Sequence, residues 1–174
     1  MTTLRWFALA CLAGIAGTWV VYAIGLRVNW AGSGPVGIYW AVSKVPGKGD
    51  LVFVLPPAMP IFRLAKERGY LAAGPSPAGT CWLTKQIVAV GGDRVSIDRE
   101  GVRVNGILLN NSAPRLTDEA GQLMPACYLN DYTLGVDEVL LMSDHDPASF
   151  DGRYFGPLPK TAIQSVIMQV ITWK

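Results

Sequence analysis

Leu83-Thr84-Lys85-Gln86-Ile87-Val88-Ala89-Val90-Gly91-Gly92-Asp93-Arg94-Val95 decides the fold. Eight residues of mostly apolar and β-branched type run into a Gly-Gly-Asp turn, which is the pattern of a buried strand closed by a tight bend. Alternation puts Leu83, Lys85 and Ile87 on one face. A lysine between two apolar neighbours snorkels to water, finds a partner or loses its proton. The same spacing also fits an edge-strand lysine facing solvent, and periodicity alone leaves both readings open.

Outward from that strand the pattern stays β. Ile38-Tyr39-Trp40-Ala41-Val42 and Leu51-Val52-Phe53-Val54-Leu55 read as strands on either side of the turn Pro46-Gly47-Lys48-Gly49-Asp50. Pro56, Pro57 and Pro60 end the second. Helical spacing then runs from Ile61 to Ala73, with Phe62, Ala65 and Leu64/Leu71 set against Arg63, Lys66, Glu67 and Arg68. Beyond the central stretch, Val102-Arg103-Val104, Asn105-Gly106 and Ile107-Leu108-Leu109 form a hairpin signal. Leu116 to Leu134 is polar and irregular. Glu138 to Met142 is another strand, and Ser165 to Trp173 reads as an edge or closing strand. The fold class expected is mostly β, with one N-terminal transmembrane helix and a short helical insert.

The chain of 174 residues is 51% hydrophobic and 16% charged, and much of the apolar excess lies at one end. Trp6 to Leu26 carries no charge and is bracketed by Arg5 and Arg27. At about 1.5 Å per residue it spans a hydrocarbon core of about 30 Å. Its length exceeds a usual signal-peptide core, and no small-x-small cleavage pattern closes a shorter one, so a retained anchor is expected over 1–27. Arg5 and Arg27 point to opposite orientations. From Val28 onward, 13 Lys+Arg balance 13 Asp+Glu, which gives no basic face for nucleic acid. Residues 28–174 suffice for one hydrophobic core.

Three cysteines and one histidine make a His/Cys zinc site unexpected, and neither metal nor cofactor is expected. Cys11 lies inside the apolar stretch. In an oxidising compartment Cys81 and Cys127 have two options, a disulfide or two free thiols.

Ser33 sits in Gly32-Ser33-Gly34-Pro35-Val36-Gly37, just past the anchor. A serine in a Gly/Pro loop is usually a turn residue. Here the flanking glycines admit a substrate backbone and leave the serine N–H available to an oxyanion. A nucleophilic serine needs a base. His145 lies in the acidic loop Ser143-Asp144-His145-Asp146, so Lys85 is the better candidate. Asp144, His145 and Asp146 are contiguous and lack distant co-ligands, which argues against a metal site. Asp151 and Arg153 are expected to pair or cap turns nearby.

In this order, Ser33, then Lys85 with Gly92-Asp93-Arg94-Val95, then Ser149-Phe150-Asp151-Gly152-Arg153-Tyr154-Phe155-Gly156 resemble bacterial signal peptidase I. The pattern Ser33-x-Pro35-x-Gly37-x-Tyr39 departs from that family's usual serine loop and resembles its TraF-type conjugal transfer branch. The resemblance implies a β-rich serine peptidase domain over 28–174, on the periplasmic face of the inner membrane. It implies a Ser33/Lys85 dyad with Asp151 orienting Lys85 or supporting the site, Asp144 or Asp146 being the fallback. It also implies a propilin substrate, contact with conjugation machinery, and an acyl-enzyme resolved by the pilin's own amine to give a cyclic product. A hydroxyl often found two residues before the nucleophile is replaced by Ala31.

Two other readings share these residues. One is a general signal peptidase that hydrolyses leader peptides. The other is a non-catalytic anchored β-domain of a secretion or pilus complex. In the catalytic readings, apolar strand edges near Ile38 and Trp82 are expected to receive an extended substrate.

Overall fold

The computed structural model describes residues 2–29, 35–143 and 147–173. The apolar N-terminal stretch is one helix, α1 (Thr2–Ala23). Its span Thr3–Ala23 has a mean hydropathy of 1.7, and none of it is buried against the rest of the chain. Gly25 adopts φ 95°, which the helical path cannot continue, and the chain turns into β1 (Leu26–Asn29). Arg27 reaches back, donating 2.7 Å to the Tyr22 carbonyl with its guanidinium 3.7 Å from the Tyr22 ring centre. A cation thus joins the Gly25 N–H, at 3.1 Å, as a donor to this carbonyl at the helix end.

The remainder is mostly β. It comprises β2 (Val36–Val42), β3 (Leu51–Val54), β4 (Leu83–Val90), β5 (Arg94–Ile97), β6 (Val102–Val104), β7 (Ile107–Leu108), β8 (Leu129–Thr133), β9 (Glu138–Met142), β10 (Leu158–Pro159) and β11 (Ile163–Trp173). Two short helices interrupt it, α2 (Pro60–Glu67) and α3 (Gly152–Phe155). One sheet has the order β1-β2-β11-β3-β4-β9-β10 and the other β7-β6-β5-β8. Every strand pair among the described residues is antiparallel, so each sheet can be solvated on part of one face.

The central stretch behaves as its pattern predicts. β4 lies between β3 and β9, so Lys85 is not on an edge strand. Leu83, Lys85 and Ile87 are all buried, at 2%, 1% and 0% exposure. Leu83 and Ile87 join the main core with Val52, Val166, Phe62 and Phe150. A second core under the small sheet gathers Val95, Ile97, Val102, Leu134 and Leu140.

Three expectations are corrected. Of the two positions expected for Ser165 to Trp173, edge or closing strand, the edge is ruled out: β11 is inserted between β2 and β3 and pairs with both. Its β-branched composition signals a strand but not a position, because the partners are over a hundred residues upstream. The helix α2 stops at Glu67 rather than Ala73, since Gly69 takes φ 74° and Tyr70 and Leu71 both donate back to the Ala65 carbonyl. Part of the irregular 116–134 segment is β8, paired with β5.

Trp40, Met168, Ile171 and Trp173 on β2 and β11 remain substantially exposed. β2 pairs with β1, which follows α1 in the chain, and β11 lies one strand further in.

Candidate active site

Lys85 is held in the middle of a seven-stranded sheet, opposite Val52 on β3. Its amine donates a 2.5 Å hydrogen bond to the Ser149 hydroxyl, 64 residues away. Ser149 is 7% exposed. A lysine amine this deeply buried needs a polar partner, and the Ser149 hydroxyl is one.

Ser149 is fixed by the loop that carries it. The loop leaves β9 at Ser143, whose N–H donates 3.1 Å to Asp151 Oδ2. Asp151 Oδ1 accepts from the Arg153 N–H at 3.2 Å, capping α3. The Arg153 guanidinium grips the same carboxylate with both prongs, Nε to Oδ1 at 2.8 Å and Nη2 to Oδ2 at 2.9 Å. Its other protons reach the carbonyls of Pro147 at 3.1 Å, Ala113 at 3.3 Å and Ser143 at 3.4 Å. Asp151 and Arg153 are both fully buried, and the fork geometry plus carbonyl acceptors is what such a pair needs to be tolerated. Gly152 is required between them, because a Cβ there would meet the Leu141 carbonyl at 2.7 Å.

Phe150 anchors the other flank. Its ring stacks on Tyr154 (5.5 Å, 6°) and packs against Phe62, Tyr70 and Phe155. Ser149 therefore sits between an ion pair and an aromatic cluster, both immobile by packing.

Above Lys85 and Ser149 opens a cleft of about 440 Å³, walled by Leu71, Trp82, Leu83 and Phe150 and by the polar side chains of Tyr70 and Asp118. Its contents are a buried amine with a hydroxyl partner, apolar walls and a polar mouth, an arrangement suited to abstracting a proton from a nucleophile presented to it.

Lys85 and Asp151 thus fall in one neighbourhood, and Asp151 bonds to Ser143 and Arg153, which brace the loop bearing Ser149. Ser149 is the residue the sequence reading did not assign. Its signal was present, as it lies two residues before Asp151 in Ser149-Phe150-Asp151. Ser33 and Ala31 lie outside the described residues, as do the fallback Asp144 and Asp146 and the histidine His145. By sequence Ser33 falls in the connection between β1 and β2, whose ends are paired at Asn29 and Gly37.

Trp82 lines the cleft, with its ring 6.1 Å from that of Phe53. Ile38 offers no edge, since β2 is paired on both sides, with β1 and with β11. Cys81 and Cys127 are free thiols. Cys81 lines the cleft and contacts the Ala73 carbonyl at 3.1 Å. Cys127 packs against the second core, where burial pushes its thiol pKa up.

Residues 4–173 match the family model "Signal peptidase, peptidase S26". The chain is 47% identical over 165 residues to a plasmid transfer protein TraF of Escherichia coli, covering 93% of both chains. It is 33% identical over 154 residues to a conjugal transfer protein TraF of Agrobacterium fabrum, covering 86% of this chain and 84% of that one. A crystal structure of a signal peptidase I from Enterococcus faecalis is similar at a TM-score of 0.40 and 19% identity, over 72% of this chain and 98% of the other.

Proposed function

The chain belongs to the signal peptidase family, peptidase S26, and from that premise we propose that it is a membrane-anchored serine peptidase that processes a conjugative propilin through a Ser33/Lys85 dyad. The observation that carries the proposal is Lys85 itself. It is a buried amine on an interior strand, hydrogen-bonded to Ser149, at the floor of a cleft.

In this reading Ser33 Oγ attacks the scissile carbonyl carbon while neutral Lys85 takes its proton. The Ser33 N–H stabilises the oxyanion, and the protonated Lys85 returns the proton to the departing amine. An acyl ester on Ser33 remains. An incoming nucleophile then loses a proton to Lys85, the ester C–O bond breaks, and the proton passes to Ser33 Oγ. Water gives a linear acid. The pilin's own N-terminal amine gives a cyclic amide. Relatives named as plasmid and conjugal transfer proteins support a role in conjugation; the pilin substrate follows from the sequence resemblance, and the second fate is the one we propose.

Supporting the membrane setting, α1 is long enough to cross a bilayer at about 1.5 Å per residue. Exposed Trp40 and Trp173 lie on the sheet that adjoins it, and tryptophan favours the membrane–water boundary. We place residues 28–174 on the periplasmic side, next to the conjugation machinery.

Mass spectrometry of the pilin released by the full chain in liposomes tests the reading. A product one water lighter than the linear mature peptide is expected. A linear product would reassign the chain to leader-peptide hydrolysis. Unprocessed pilin would leave an anchored, non-catalytic β-domain.

A further inference from the structure

The end of α1 is a tight corner against the sheet. The Gly25 carbonyl accepts 2.7 Å from the Ala41 N–H of β2. A Cβ at Gly25 would meet the Ala41 carbonyl at 3.2 Å and the Trp40 indole nitrogen at 3.5 Å, so helix end and strand sit as close as a glycine allows.

Arg27 closes this corner with one side of its guanidinium. Nη1 donates to the carbonyls of Tyr22 at 2.7 Å and Leu26 at 3.0 Å, and the group lies 3.7 Å from the centre of the Tyr22 ring. Those two bonds use both Nη1 protons. Nε and Nη2 make no hydrogen bond or ion pair among the described residues. They are the side-on fork of an arginine, the same pair with which Arg153 grips Asp151. Such a fork fits an oxyanion with two free oxygens. The surrounding chain supplies none. Residues 1–49 and 163–173, which carry α1, β1, β2 and β11, contain no Asp or Glu.

The corner also lies where α1 would leave a bilayer. The apolar span ends at Ala23, and Trp19, Tyr22 and Trp40 are exposed around that end. Tryptophan and tyrosine gather at headgroup level. The oxyanion abundant at that level is the phosphodiester of a phospholipid, which has two unesterified oxygens.

We propose that Arg27 is a phospholipid site, in which the Nε/Nη2 fork takes the two free oxygens of one headgroup phosphate while Tyr22 fixes the direction of the fork. The bound phosphate and the Gly25 corner together set the height of the β domain above the bilayer. The proposal rests on α1 as a membrane anchor and is independent of the acyl-enzyme chemistry.

The full-length chain in dodecyl maltoside micelles is titrated with dioleoyl phosphatidylglycerol, and native mass spectrometry reads the lipid-bound fraction. Dioleoylglycerol, with the same acyl chains and no phosphate, is expected to bind at least about ten-fold more weakly, the weight of a charged hydrogen bond. Arg27→Gln should weaken phosphatidylglycerol binding by about the same factor. Arg27→Lys keeps the charge and a donor for the Tyr22 carbonyl but loses the fork, and should fall nearly as far. Arg5→Gln, at the other end of α1, should bind as wild type does. Circular dichroism of each variant checks that helix and sheet are intact, and Arg27→Lys carries the test where Arg27→Gln disturbs them. Wild-type binding by Arg27→Lys overturns the fork. Equal binding of dioleoylglycerol, or an equal loss in Arg5→Gln, overturns the site. Displacement of the lipid by inorganic phosphate would assign the fork to a free oxyanion and overturn the lipid assignment.

Discussion

Lys85 and Ser149 meet through a 2.5 Å hydrogen bond although 64 residues of chain separate them. One comes from an interior strand and the other from a loop pinned by a buried ion pair. The strand supplies the burial, and the loop supplies a hydroxyl that fixes where the amine points. In the proposed mechanism neither element alone makes a base.

Replacing Lys85 with arginine should end catalysis. Arginine stays charged at any working pH and is too long for the site beside Val52. Pilin processing is expected to fall by about 10²–10⁴-fold, the usual worth of a general base. Circular dichroism on the same sample separates this from misfolding. Processing at an undiminished rate by the arginine variant would end the dyad mechanism.

Ser149→Ala should weaken activity without removing it. The variant loses one hydrogen bond to Lys85, about 0.5–1.5 kcal/mol, which corresponds to a rate loss of about 2- to 10-fold if the bond is made equally in the transition state. Ser149→Thr keeps the hydroxyl and is expected to recover part of the loss. Single-turnover kinetics distinguish the two.

Asp151 is expected to act through stability. Asp151→Ala leaves Arg153 charged and enclosed, a defect of about 3–5 kcal/mol for a broken buried pair. Arg153→Ala should cost a similar amount. The double change Asp151→Leu/Arg153→Met should cost clearly less than the two single changes together, since it strands no charge. Urea unfolding of the three proteins is the measurement. Full stability with lost activity in Asp151→Ala would instead assign this carboxylate a direct chemical task.

The arm formed by residues 116–124 should loosen in acid. The Tyr70 hydrogen bond, with the Gln122 and Ala120 N–H groups and Arg68, holds the Asp118 carboxyl below the usual carboxylate range, against a smaller opposing effect of burial. Its folded pKa is thus lower than its unfolded one. The stabilisation it lends is present above the unfolded value of about 3.9 and is lost as pH falls through the folded value. Pepsin cleavage within 116–124 should therefore rise steeply as pH drops below about 4. Asp118→Asn, neutral throughout, should be cut with little pH dependence beyond pepsin's own.

Gly37→Ala should disrupt the sheet. A Cβ at this position would lie 2.3 Å from the Ile171 carbonyl and 2.9 Å from Thr172 Cα, both backbone atoms of β11. Such a clash forces the two strands apart, at a cost of about 1–3 kcal/mol or more. A drop in thermal midpoint is expected, with Gly47→Ala, which meets only the Asp50 carboxylate at 3.9 Å, as the tolerated control.

Much of the fold was legible because strand and turn chemistry is local. The 83–90 strand, the Asn105-Gly106 hairpin and the apolar helix follow from neighbouring residues. The position of β11 was not legible, since β composition names no partner. The length of α2 was misread because apolar spacing continues through Leu71 after Gly69 has already turned the backbone. At the site, Lys85 announced itself as a charge in an apolar run. Ser149 did not, because a serine in a loop is common and its meaning comes from a contact 64 residues away. The Tyr70–Asp118 bond spans 48 residues and was hidden for the same reason.

The position of β11 sets a clock. Residues 163–173 must be made before β2 and β3 can be joined, because β11 lies between them and pairs with both. The Val52–Lys85 row is closed on its β3 side only when Val166 arrives. The Lys85 row of the sheet is therefore a joint product of β3, β4 and β11, and a change in β11 that opens the β3 seam reaches the amine through Val52.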